Sequence, residues 1–128
     1  MEDGKELPRI GIAPSDLRVI GYALFPYAQM IHRLIEPSPK RDTILRTIET
    51  LRRRIAAVKI PLEGDNDQIF PIMHDELAVI DSALSAFIEN IGRYVPQSQE
   101  RDETMRACEA LRSYLISSFT PPGTPPNN

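Results

Sequence analysis

Residues Ile69 to Val95 read IFPIMHDELAVIDSALSAFIENIGRYV, and this stretch decides the fold. Met73, Leu77, Ile80, Leu84, Phe87, Ile91 and Tyr94 recur at alternating four- and three-residue steps, a spacing that puts them on one face of a helix. Ile88 and Val95 widen that stripe on one side. Ile72, Val79, Ala83 and Ala86 continue it round the other, so that more than half of the circumference is apolar or small. A helix with so little polar surface has to be enclosed by neighbours, and the stretch therefore predicts a central helix around which the rest of the chain packs.

Upstream of it, Leu62 to Gln68 is polar and carries Gly64, Asp65, Asn66 and Asp67, which suit a turn. Asp67 is the expected N-cap of the central helix, with Pro71 tolerated in its first turn. A second helix is predicted from Pro39, capped by Ser38, to about Ile60, with Ile44, Ile48, Leu51, Ile55 and Val58 facing inward and Pro61 ending it. The compact Glu36-Pro37-Ser38-Pro39 break makes it the antiparallel neighbour of a first helix. That first helix is expected to start at Ser15 as N-cap and to bury Leu17, Ile20, Leu24, Tyr27, Ile31 and Leu34. Pro26 interrupts its backbone but not its apolar rhythm, which predicts one kinked helix rather than two.

Downstream, the central helix ends between Gly92 and Pro96, and Ser98 caps a fourth helix with Met105, Cys108, Leu111, Leu115 and Phe119 inside. Met1 to Ala13 has too few apolar residues for an element of its own and reads as an extended or mobile arm, although Ile10 and Ile12 could dock on the helices. Thr120 to Asn128 reads as a flexible, proline-rich tail. No internal repeat is read beyond the shared helical rhythm. The expected organisation is thus an arm (residues 1–13), an all-α, up-down-up-down four-helix bundle with a proline-kinked first helix (14–119) and a tail (120–128). A bundle that exchanges its first helix with a partner chain is the alternative.

Composition agrees with one helical domain: 128 residues, 41% hydrophobic, 26% charged and no Trp. Cys108 is the only cysteine, so no intrachain disulfide can form, and its place on a helical stripe marks it as a small core residue. The uncharged apolar run Val19 to Ile31 falls short of the roughly 20 apolar residues that span a bilayer. Met1 to Pro8 does not have the basic and apolar character of a signal segment, which points to a cytoplasmic protein.

Chemistry is harder to find. His32 and His74 are the only imidazoles, neither sits in a ligand motif, and His74-Asp75-Glu76 cannot converge because successive helical residues diverge by about 100°. There is no phosphate-cradling glycine loop, nucleophile elbow or Cys/His ligand set. No catalytic, cofactor-binding or metal-binding residues are assigned, no cofactor is expected, and an enzyme is not the expected reading. An enzymatic alternative would need His32 or His74 to face a carboxylate in a pocket.

Charge is unevenly distributed around a net of -3. Helix two carries Lys40, Arg41, Arg46, Arg52, Arg53, Arg54 and Lys59 against Asp42 and Glu49, while Pro61 to Pro96 carries seven acidic residues against Arg93. A basic helix beside an acidic one is self-complementary, and the pairs Asp42/Arg46 and Glu49/Arg53 have the favourable helical orientation. Lys40, Arg41, Arg52, Arg54 and Lys59 are nevertheless the candidate anion-binding set, through which the chain would associate with nucleic acid.

The sharper signal lies on helix one. Measured from Leu17, Tyr22 falls at about 140° and Phe25 at about 80°, away from the core stripe. Val19 and Pro26 adjoin them, and an apolar, aromatic face on the outside of a small bundle marks an interaction surface. Val19, Tyr22, Phe25 and Pro26 are therefore the candidate protein interface. The expected function is a helical interaction module of adaptor, assembly or regulatory type that binds a protein partner or a second copy of itself. The alternative reading is the nucleic-acid-associated protein using basic helix two.

Overall fold

The computed structural model describes residues 9–58 and 68–118. Its elements are β1 (Arg9–Ile12), α1 (Pro14–Leu34), α2 (Pro39–Ala56), β2 (Gln68–Pro71), α3 (His74–Tyr94) and α4 (Gln99–Ser118). The four helices pack against one another, α1 on α3 and α2, α3 on α4, with α2 also touching α3. The central position expected for α3 is thus shared with α1.

Two short strands were not anticipated. β1 and β2 form an antiparallel ribbon in which Ile10 faces Phe70, flanked by the pairs Arg9/Pro71 and Gly11/Ile69. Ile69 to Pro71 therefore belongs to a strand and not to the first turn of α3. Pro71 disfavours helical backbone at Phe70, and β-branched and aromatic residues before it suit a pleated edge. Part of the presumed arm is the other strand. Four residues cannot hold an element locally, but a partner strand far along the chain supplies the hydrogen bonds they lack.

That register exposes a duplication missed in reading the sequence. Residues sixty apart are identical at Ile12/Ile72, Leu17/Leu77, Val19/Val79, Ile20/Ile80, Ala23/Ala83 and Leu24/Leu84, and again at Ser38/Ser98, Arg41/Arg101, Asp42/Asp102, Leu51/Leu111 and Arg52/Arg112. Ile10 pairs with Phe70, its own counterpart, and exchanging the halves turns the Arg9/Pro71 pair into Ile69/Gly11, which is also a pair. The ribbon is therefore symmetric about its central pair, and the chain is a strand-helix-helix unit used twice.

The core follows the same symmetry. Ile12, Leu17, Ile20, Ala23 and Leu24 from the first half meet Ile72, Ile80, Ala83 and Leu84 from the second, with Ile48, Leu51, Leu111 and Leu115 closing it from α2 and α4. Tyr27, Ile44, Ile55, Val58, Leu77 and Phe87 pack partly buried around it, whereas Leu34, Met73 and Tyr94, which were expected inside, are exposed. Leu34 and Tyr94 are the last residues of α1 and α3, which run past the part of the core that can cover them, and Met73 precedes α3 as its N-cap. Buried Cys108 lies among the core residues, and burial pushes its thiol pKa up. Thiolate is the reactive form, so iodoacetamide at neutral pH should leave the folded protein unlabelled and modify it fully in urea.

Both helix pairs are joined in the same way. Ser38 caps α2, its Oγ accepting from the Arg41 N–H at 3.1 Å, and Ser98 receives the Arg101 N–H at 3.1 Å. Arg41 then reaches back to the carbonyl of Ile35 at 3.2 Å, and Arg101 to that of Gly92 at 3.2 Å. Other boundaries differ from expectation. Ala13 rather than Ser15 precedes α1, with Pro14 in the first position, and α2 stops at Ala56. Met73 precedes α3, so Asp67 is not its cap, whereas the end of α3 at Tyr94 falls within the expected Gly92 to Pro96. Pro26 lies inside a continuous α1. Lys59 to Asp67 and the tail from Phe119 lie outside the described residues. Among those residues, no helix is long and apolar enough to cross a membrane.

Candidate protein-interaction site

Duplication supplies an internal control for every residue of the candidate face. Tyr22 is 62% exposed and Phe25 49% exposed on α1. Their counterparts on α3 are Ser82 and Ser85, which are also exposed. The fold thus accepts small polar side chains at these positions, and the two rings answer no packing need of the repeat. Pro26, whose counterpart is Ala86, is half-buried. Val19 stands apart from the other three, because it packs against the core as Val79 does.

Beside Phe25 a groove of about 510 Å³ runs between α1 and α2, lined by Phe25, Ala28, His32, Leu45, Arg46 and Arg52 among others. The Arg52 guanidinium lies over the Phe25 ring, 5.2 Å from its centroid. Such a cation on an exposed ring is worth about 0.5 to 1 kcal/mol, enough to orient both side chains without hiding the aromatic surface. His32 Nδ1 lies 2.7 Å from Arg41 Nη2. A guanidinium only donates, so Nδ1 is the acceptor in this contact. Both histidines are exposed, and no group of three or more His, Cys, Asp or Glu side chains is gathered for a metal among the described residues.

The candidate anion-binding set does not come together. Arg41 is spent on the α1–α2 junction. Arg54 turns inward, donating to Glu76 Oε2 at 2.5 Å and to the carbonyl of Pro71, with its guanidinium 4.9 Å from the Phe70 ring centroid. Arg52 is stacked on Phe25 and within 4.0 Å of Glu49, Lys40 is exposed, and Lys59 lies outside the described residues. Glu49 pairs with Arg53 at 3.2 Å as expected, but Asp42 and Arg46 form no ion pair. Of the complementarity expected between α2 and the acidic segment, the described residues show one ion pair, Arg54 to Glu76, while Asp81 of α3 is engaged instead from α4 by Arg112 at 2.8 Å. That contact to Asp81 raises the Arg112 pKa above its ordinary value.

One carbonyl on each strand of the ribbon is also engaged by a side chain. Tyr114 donates to the carbonyl of Gly11 at 2.5 Å, and Arg54, its counterpart in the first half, donates to that of Pro71, the counterpart of Gly11. The chain matches no known protein-family model, no curated protein and no solved structure.

Proposed function

We propose that the chain is a protein-interaction module rather than an enzyme, and that it acts through the outward face of α1 centred on Tyr22 and Phe25. The observation that carries this reading is the contrast with Ser82 and Ser85: the same backbone position is aromatic in one half and serine in the other. Two rings held in water forgo burial worth about 1.5 to 3 kcal/mol for each fully buried large side chain, which an intermolecular contact recovers. Pro26 supports the reading. It removes a backbone donor in mid-helix where the second half has Ala86, and in an up-down-up-down arrangement a bend there sets the rings forward of the bundle surface.

Sedimentation velocity tests the proposal with wild type and a Tyr22→Ser, Phe25→Ser double variant, which copies what the second half already contains. Circular dichroism is expected to be unchanged in the variant, while the concentration-dependent growth of the wild type is lost. A wild type that stays monomeric at high concentration ends the self-association form and leaves a separate partner. Unfolding of the double variant would place the rings in the core and end the proposal.

A further inference from the structure

The groove beside Phe25 differs from the equivalent surface of the second half at the positions that decide what it can hold. Its floor is Ala28, where α3 has Ile88, a larger side chain that is 9% exposed and fills its own site. Its end is closed by His32 and Leu45. In the second half these positions are Gly92 and Met105, and the Met105 methyl lies 3.4 Å from where a Cβ on Gly92 would stand, so Met105 folds over that helix. The first half thus has a hollow beside Ala28 whose apolar surface comes from Phe25, Ala28, Leu45 and Ile48.

Its charge has been altered in the same direction. Arg112 is held by Asp81 at 2.8 Å and by Glu109 at 3.4 Å. Arg52 occupies the matching position and keeps the counterpart of Glu109, Glu49, at 4.0 Å, but Gly21 stands where Asp81 would be, and Arg52 lies over Phe25 at the groove wall. Arg46 lines the same wall and has no ion-pair partner among the described residues. Glu49 is the one carboxylate in the lining, and Arg53 engages it at 3.2 Å. An apolar hollow flanked by two guanidiniums, with its carboxylate already paired, is complementary to an apolar side chain flanked by carboxylates.

We infer that this groove receives an acidic amphipathic helix of a partner protein, one large apolar side chain seated over Ala28 and its carboxylates on Arg46 and Arg52. The inference rests on the proposed interaction role of α1 and names its partner's chemistry. Helix-in-groove recognition works through such anchors, and a groove of about 510 Å³ is within the size range of binding pockets. Bidentate guanidinium contacts then select carboxylates over other polar groups.

A displayed library of helical peptides tests it, with one randomised apolar anchor flanked by positions that are either Glu or Lys. Selection on the full chain should enrich Glu at the flanks and a large apolar anchor. The enriched peptides should bind Ala28→Ile, which installs the side chain of the second half, about tenfold more weakly, and likewise Arg46→Glu, Arg52→Glu, with circular dichroism unchanged. Failure to enrich, enrichment of Lys, or equal binding by Ala28→Ile overturns the inference. If self-association is lost in Tyr22→Ser, Phe25→Ser but no acidic peptide is selected, the interaction role of α1 stands and this partner falls. If Ala28→Ile abolishes self-association, a second copy occupies the groove and the separate partner is again overturned.

Discussion

Arg54→Met should destabilise the protein by about 3 kcal/mol, because it strands a carboxylate that folding has taken out of water. Glu76 is 6% exposed, and its two oxygens have different duties: Oε1 accepts the Met73 N–H at 3.0 Å at the start of α3, and Oε2 faces Arg54 at 2.5 Å. Arg54 also holds the Pro71 carbonyl and stacks on Phe70, so one side chain of α2 fastens both the end of β2 and the beginning of α3. Methionine keeps the aliphatic stem of the side chain but offers no donor, no charge and no guanidinium to stack on Phe70. Urea denaturation reads the loss as a lower midpoint at unchanged slope. Adding Glu76→Gln, which can still accept from Met73 but removes the buried charge, should return a large part of the stability. A double variant no more stable than Arg54→Met would show that the cost lies in the Pro71 and Phe70 contacts and not in the stranded carboxylate.

The helices were legible because their signal is local. Leu17, Ile20, Leu24, Ile80 and Leu84 repeat every three or four residues, and each lies in the core that the repeat implies. The ribbon was not legible for the opposite reason. Its strands are four residues each, too short to show a two-residue alternation, and each forms only because the other exists far along the chain. The duplication that joins them was present in the letters, from Ile12/Ile72 to Arg52/Arg112. Scanning for amphipathic periodicity hides it, since all four helices share a rhythm whether or not they share an ancestor; comparing the chain with itself at fixed offsets is the step that finds it.

On the candidate site, angles around a helix separated Tyr22 and Phe25 from the core, because exposure on a helix is a matter of rotation. The same angles misassigned Val19, which lies far enough round to reach the core flank. Charge counting along α2 was a poorer guide. A guanidinium can turn in or out from one Cα position, and Arg54 turned in toward Glu76. The hollow over Ala28 could not be found from composition at all. An alanine on a helix is unremarkable until its counterpart is seen to be Ile88 and its neighbours are seen to leave the space unfilled.

Leu84→Ala should cost about 2 to 5 kcal/mol, combining lost burial with the cavity left behind, and Leu24→Ala should cost a similar amount. Leu84 is 0% exposed and so is Leu24, its counterpart in the first half, and both belong to the core where α1 and α3 meet. If the two halves are equivalent units around a shared core, neither position has a softer environment into which the structure can relax. The two losses should then agree within about 1 kcal/mol, inside the spread that Leu→Ala changes show when their surroundings differ. Against a typical domain stability of roughly 5 to 15 kcal/mol either change is severe, so chemical denaturation at low temperature is the measurement of choice. A small loss at Leu84 would contradict its enclosed position. A large loss at Leu84 with a small one at Leu24 would mean that α3 carries the core and α1, the helix bearing the exposed rings, packs on it loosely.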